Sequence, residues 1–306
     1  MQSICRAMVA LISLYLSVSC PAGPYAPAAN QSGSTALNLG SGCFVGWATG
    51  WTNYIVGTDC DFFWQTPPLA LGQPLGDSFD IVCLGDGGEI TMTFDIPIAD
   101  GPGFDFAVFE NSINDTFLEL AYVEVSSDGA NFFRFPNDSL TPNPVPSFGG
   151  LDPTDVTGLA SKYQQGYGTP FDLNQLAGVS PLLDLQNIRW VRMVDIVGDG
   201  TYTDTSGDVI YDPHPTLGSA GFDLEAVGVI NYPRHVRVDP PVNEQTTVSL
   251  WTLTNHLYRV QMTSDLILGP WANISFDISG NNDWQSFVVT NFPVDRAYFR
   301  SMDVTP

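Results

Sequence analysis

Polar and apolar residues alternate along much of this chain with the two-residue period of a half-buried strand. Glu89-Ile-Thr-Met-Thr-Phe-Asp95 shows the pattern, and so does Leu118-Glu-Leu-Ala-Tyr-Val-Glu-Val-Ser126. Asp128-Gly129 lies between the second run and Asn131-Phe-Phe-Arg-Phe135, which predicts a tight hairpin. Denser apolar runs at Phe104–Phe109, Ile188–Asp195 and Gly221–Ile230 suit strands at the centre of a sandwich. Phe79–Leu84 is also strand-like. Between 136 and 180 the pattern loosens into a long excursion, with one helical turn predicted inside Asp152–Ala160 and a further segment at Gly166–Asp172. A connection of that length is usually functional. Shorter strand patterns resume at Thr247–Trp251, Leu257–Met262, Trp284–Val289 and Ala297–Arg300. With 29 Gly and 23 Pro to make turns, the chain reads as all-β.

The first twenty residues differ in kind. Arg6 is their only charge, the apolar run Ala7–Val18 follows, and small residues stand at Ser17 and Ser19. This is the form of a secretory signal over residues 1–19. The run is too short to span a bilayer. Ser17-Val-Ser-Cys20 also has the form of a lipoprotein cleavage site, which would put a lipid anchor on Cys20. No other stretch is long and apolar enough to be a transmembrane segment.

Composition narrows the partners. The 306 residues carry 10 Lys+Arg against 33 Asp+Glu, a net charge of −23, and Lys162 is the only lysine. Nucleic-acid binding needs clustered Lys/Arg, and so does charge-driven binding to an anionic membrane. An aromatic content of 12% points to a folded core rather than an acidic disordered tail.

Export implies an oxidising compartment. Cys5 and Cys20 go with the signal, leaving Cys43, Cys60 and Cys83. A Cys43–Cys60 disulfide would close a loop of about sixteen residues and contribute about 3 kcal/mol. Cys83, in its strand-like run, reads as a buried small hydrophobe.

Two features carry candidate chemistry. Asp195-Ile-Val-Gly-Asp-Gly-Thr-Tyr-Thr-Asp-Thr-Ser-Gly-Asp-Val-Ile-Tyr-Asp212 offers Asp195, Asp199, Asp204 and Asp208, with Gly198, Gly200 and Gly207 for turning. Ca²⁺ wants six to eight oxygen ligands, and glycine lets backbone wrap tightly. The spacing is not that of an EF-hand. The competing reading is a solvated acidic turn. The second feature is aromatic: Trp47, Trp51, Tyr54 and Trp64, with Tyr163, Tyr167 and Phe171 in the excursion. Aromatics bordered by Asp and Asn can stack on sugars; the competing reading is that they cover the sandwich. Signals for catalysis are weak. His214, His235 and His256 are the only histidines. No nucleophile elbow, zinc-protease helix motif or phosphate loop is present, and no carboxylate pair of a glycosidase stands out.

Residues Ala121–Phe132 followed by Ile188-Arg-Trp-Val-Arg-Met-Val194 resemble the core hairpin and strand of discoidin-like, galactose-binding-type jelly rolls. Phe106-Ala-Val-Phe-Glu-Asn111, Gly158-Leu-Ala160, Gly168–Leu173, Ile210–Pro213 and Gly221–Gly228 resemble a family of bacterial cell-surface proteins, over residues 23 to 231. Tyr258–Leu266 with Gly269-Pro-Trp271 and Ala297–Arg300 is similar to a C-terminal β-module of secreted proteins from Verrucomicrobia-like bacteria. The resemblance implies a jelly-roll β-sandwich over 20–232, a linker over 233–245 marked by Pro233, Pro240 and Pro241, and a small β-module over 246–306. It also sets Glu110, Asn111 and Asp223 at strand ends, where they could complete a calcium site. The chain thus reads as a secreted or surface-attached, non-catalytic binding protein for glycan with structural Ca²⁺. The alternatives are an adhesive or structural envelope component without a small ligand, and a carbohydrate-active hydrolase.

Overall fold

A computed structural model describes residues 23–304 except 234–235, 244, 253–255, 266–268, 282 and 291–296. The signal segment 1–19 and Cys20 lie outside the described residues. The strands of the large unit are β1 (Leu37–Asn38), β2 (Gly46–Trp47), β3 (Gly50–Ile55), β4 (Val82–Cys83), β5 (Glu89–Ile98), β6 (Phe106–Glu110), β7 (Ala121–Ser126), β8 (Phe133–Arg134), β9 (Asp138–Ser139), β10 (Val156–Thr157), β11 (Tyr167–Phe171), β12 (Ile188–Asp195) and β13 (Asp223–Val229). A 6-stranded sheet runs β1-β11-β6-β13-β2 with β4 also on β13, and a 5-stranded sheet runs β3-β5-β12-β7-β8. All these pairings are antiparallel.

The chain steps from sheet to sheet: β2 and β3, β4 and β5, β6 and β7, β11 and β12 belong to opposite sheets. Such wiring is that of a jelly roll, and it turns the apolar face of each strand toward the other sheet. Phe106, Val108, Phe171, Leu224 and Val227 from one sheet meet Ile90, Met92, Val123, Val125, Val191 and Met193 from the other. Phe106 stacks on Phe171 with ring centroids 5.3 Å apart.

Strands β6, β7 and β13 are buried along their whole length, because both sheets are covered outside as well. The first part of the excursion, through Leu159, wraps one outer face, placing Val145, Leu151, Val156 and Leu159 against Leu118, Leu120, Tyr122, Ile196 and Ile210, before the chain enters the six-stranded sheet as β11. It is therefore a covering layer rather than a free loop. Its expected helical turn is the 3-10 turn Pro153–Asp155, begun by the Asp152 carboxylate accepting from Thr154 N at 2.9 Å. On the other sheet, Leu37, Leu39, Phe44 and Trp47 cover Ala107, Phe109 and Ala226.

The C-terminal residues form two further antiparallel sheets. One contains β14 (Val236–Val238), β15 (Gln245–Thr252) and β19 (Asp283–Thr290). The other contains β16 (Leu257–Thr263), β17 (Ala272–Asn273), β18 (Ile278–Ser279) and β20 (Tyr298–Asp303). Val248, Leu250, Tyr258 and Val260 are their core. The segment expected as a linker, 233–245, thus contains a strand: the alternation Val-Arg-Val lets Val236 pair with Leu250. The Arg189 guanidinium lies 5.3 Å from the Trp251 ring centre, joining the end of the large unit to this smaller one.

Phe106→Ala would leave a void between stacked rings at the centre of the sandwich. We expect a loss of about 3–5 kcal/mol, read from urea unfolding of the two proteins.

Candidate metal centre

Strand register gathers acidic residues at one end of the sandwich. Val194 pairs with Glu89, Asp195 with Ala121, Leu224 with Glu110, and Asp223 with Cys83. The ends of β6 and β12 and the starts of β5, β7 and β13 therefore coincide. Glu110, Glu119, Asp195, Asp212 and Asp223 are collected there, none of them more than 5% exposed. Asp195 accepts from Phe222 N at 2.7 Å and Gly87 N at 2.8 Å. Asp212 accepts from Leu120 N at 2.8 Å. Glu110 accepts from Ser112 N and Ser161 Oγ, both at 2.8 Å. These bonds fix the carboxylates in place. Glu119 Oε1 and Asp223 Oδ1 have no hydrogen-bond partner although both are buried.

No base neutralises the group. Arg134 and Arg192 pair with Glu124, Arg237 with Asp239 and Arg259 with Asp277, all away from this end. At the half-open rim the His214 Nδ1 is 3.6 Å from Asp86 Oδ2. Burial pushes each carboxyl up, and the neighbouring carboxylates add to it. Asp195 rises to about 7 and Asp223 to about 8. Glu110, Glu119 and Asp212 are also held well above the usual carboxylate range. Burial raises Asp86 at the rim as well.

The carboxylates are hard oxygens; Ser219, the Cys83 thiol and the Asn111 side chain also face Asp223, and the Thr216 hydroxyl faces Glu119. That set suits Ca²⁺ far better than a softer metal. Glycine makes room where the backbone crowds the carboxylates. A Cβ on Gly221 would stand 2.5 Å from Asp195 Oδ1, and one on Gly198 1.9 Å from Asp212 Oδ1.

The expected calcium ligands divide. Asp195, Asp223 and Glu110 lie together at the acidic end, near enough to raise one another's pKa, although no three of the described carboxylates there bring their oxygens within 4.8 Å of one another. Asp199, Asp204 and Asp208 do not join them. Asp199 is exposed and accepts from Thr201 Oγ1 at 2.6 Å. Asp204 folds its own turn, accepting from Ser206 N and Asp208 N at 2.9 Å each, and docks on Ser139 N at 3.1 Å. Asp208 is exposed. Short local bonds to backbone N–H groups claim these oxygens first. Sequence reasoning missed Glu119 and Asp86; Asp212, the fifth Asp of the acidic loop, lies with the buried group. Among the described residues, the carboxylates that do bring their oxygens within 4.8 Å of one another are Asp100, Asp105 and Asp172, near the opposite end, where Phe171 and Val229 pair with Phe106. Asp105 there is saturated by Gly101 N, Leu173 N and Asn231 Nδ2 at 2.7–2.9 Å.

The expected aromatic platform is also divided. Trp47 packs on Phe44 and Phe109, with centroids 4.9 and 5.6 Å away. Tyr163 is buried with its hydroxyl 2.7 Å from Thr35 Oγ1. Tyr167 is half-buried and donates to Asn30 Oδ1 at 2.9 Å. Trp51 is exposed, and Trp64 stacks at 6.0 Å on Phe79. Other exposed aromatics were not anticipated: Phe276 and Phe148 are exposed elsewhere, and Phe62, Phe63 and Phe79, clustered near Trp64, are 88%, 72% and 70% exposed. Their segment is tied to the acidic end through Asp61 N, which donates to Gly218 O at 2.7 Å.

The expected Cys43–Cys60 bridge is absent; both thiols are free. Val45, two residues after Cys43, bonds to Val229 at one end of β13, while Cys60 meets Cys83, which pairs with Asp223 at the other. Strand β13 separates them by about 20 Å at ~3.3 Å per residue, well beyond the ~7 Å Cα limit of a disulfide.

No family model matches the chain, and no curated protein matches it. Among the described residues no helix is long and apolar enough to cross a membrane.

Between their unfolded values and their raised folded values, these carboxyls hold more protons in the folded chain. Stability of the chelated protein therefore falls as pH rises. We expect its melting midpoint to drop, by on the order of 5–10 °C, between pH 5 and pH 8.5. Calorimetry in EDTA at constant ionic strength checks this; a midpoint that rises over that range contradicts it.

Proposed function

We propose that this chain is a non-catalytic glycan-binding protein of the cell exterior, whose binding end is held together by Ca²⁺. The observation that carries the reading is the set of buried, baseless carboxylates with unpartnered Glu119 Oε1 and Asp223 Oδ1, below an end that exposes Phe62, Phe63 and Phe79. An ion in the centre would replace protons on groups that cannot all ionise together. The aromatic rings offer flat apolar faces, and Asp61, Asp77 and Asp80 beside them offer oxygens to sugar hydroxyls. The net charge of −23 selects a neutral or amino-sugar glycan over an acidic one. The signal-like N-terminus and the likeness to surface jelly rolls support an exterior location. With the same patch, an envelope component would bind polymer or protein in place of a defined sugar.

Two measurements test the parts separately. At pH 8, Ca²⁺ a hundredfold above its dissociation constant should add about 2.7 kcal/mol, a midpoint rise of roughly 5–10 °C. Glu119→Gln with Asp223→Asn should abolish that rise. In affinity electrophoresis through neutral polysaccharides, Phe62→Ala with Phe63→Ala should weaken retention at least about tenfold, close to 1.4 kcal/mol. Retention by no polysaccharide would remove the glycan half of the reading; an unchanged midpoint with Ca²⁺ would remove the cation half.

A further inference from the structure

The thiols of Cys60 and Cys83 face each other at the edge of the acidic end. Thr58 and Asp86 exchange both backbone hydrogen bonds, at 3.1 and 3.0 Å, as an antiparallel pair. Two residues further on, the backbone of Cys60 bridges to Gly218 and Ser219 while its side chain meets that of Cys83. Cys60 Sγ lies 3.7 Å from the Cys83 carbonyl oxygen. The Tyr54 hydroxyl donates to the same oxygen at 2.6 Å and closes the niche. Gly85 is left-handed, and a Cβ there would sit 3.0 Å from the Cys60 Cβ, so the two segments are already as close as backbone allows. Cys83 is fully buried, whereas Cys60 is half-buried and open on one side.

We propose that Cys60 and Cys83 form the disulfide of this protein, fastening the segment that carries Phe62, Phe63 and Trp64 to β4. The oxidant is a disulfide donor such as glutathione disulfide. The Cys60 thiolate attacks one donor sulfur and expels the other as a thiol. The Cys83 thiolate then attacks Cys60 Sγ of the mixed disulfide and expels the second thiol. Two protons leave the cysteines and the donor disulfide becomes two thiols, so the exchange balances. Cys60 is the entry point because it is the reachable sulfur. Neither the cation nor a glycan is required.

The full chain, reduced and unfolded, would be refolded in a glutathione–glutathione disulfide buffer, alkylated, and digested without reduction. The expected mass spectrum contains a peptide pair joined through Cys60 and Cys83, with Cys43 alkylated. A bridge joining Cys60 or Cys83 to Cys5, Cys20 or Cys43 overturns the proposal, as does finding both alkylated. The melting midpoint gives a second reading. Reductant should lower it by on the order of 5–10 °C in the native chain and in Cys43→Ser. In Cys60→Ser, which leaves the buried Cys83 in place, reductant should change nothing; an equal drop there overturns the proposal.

Discussion

Desolvated negative charge is the constraint around which this sandwich is arranged. A carboxylate taken out of water without a partner costs several kcal/mol, and the strand registers place Glu110, Glu119, Asp195, Asp212 and Asp223 in one such place. The sequence has few bases to offer. Lys162, its only lysine, is buried elsewhere and donates to the carbonyls of Pro153 and Val156. Arg134 and Arg192 are both engaged by Glu124. Charge compensation at the acidic end must come from solution, as protons or as a cation, and the two compete for the same oxygens.

Glu124 shows that the fold can pair a buried acid when the sheet allows it. Arg192 lies directly across from it on β12 and Arg134 on β8, so cross-strand geometry supplies both guanidinium groups. No such register exists at the strand ends. Chain turns meet there, and the space is made by glycines such as Gly198 and Gly221 rather than by long basic side chains. The difference between a satisfied ion pair and an unpaired acidic cluster is thus one of position: mid-strand against strand end.

Legibility in the sequence followed the same division. Strand β12 was readable to its last residue, Ile188–Asp195, because its apolar residues recur at the strand period. The two-sheet architecture and the hairpin at Asp128-Gly129 were readable for similar reasons. The excursion 136–180 was not, since the apolar residues of its first part are spaced for covering an outer face, with neither a strand nor a helix period. Glu119 was missed because it sits within an alternating run, where a polar residue is assumed to face water; the segment leading into β7 is buried on every side, which breaks that assumption. Asp204 misled for the opposite reason. It stands in a loop composed like a metal site, but its oxygens bond to nearby backbone. Trp47 and the Cys43–Cys60 pairing depended on which end of β13 each segment reaches, and that is a property of register.

The acidic residues are interleaved with apolar anchors, and this ties the centre to the packing around it. Leu118 and Leu120 flank Glu119, Ile196 follows Asp195, and Ile210 precedes Asp212 by two residues; all four apolar side chains share the second core beneath the excursion. Phe222 and Leu224, on either side of Asp223, belong to the main core. Each carboxylate is therefore held by neighbours that cannot turn outward without exposing apolar surface. Repulsion within the centre cannot relax by swinging one side chain into water. It must act on both cores at once, so whatever neutralises the carboxylates also holds the covering layer against the sheet. The segment bearing Phe62 and Phe63 hangs from the same end, through Asp61 on Gly218. Neutralising the centre and presenting the aromatic rings are in this way consequences of one set of contacts.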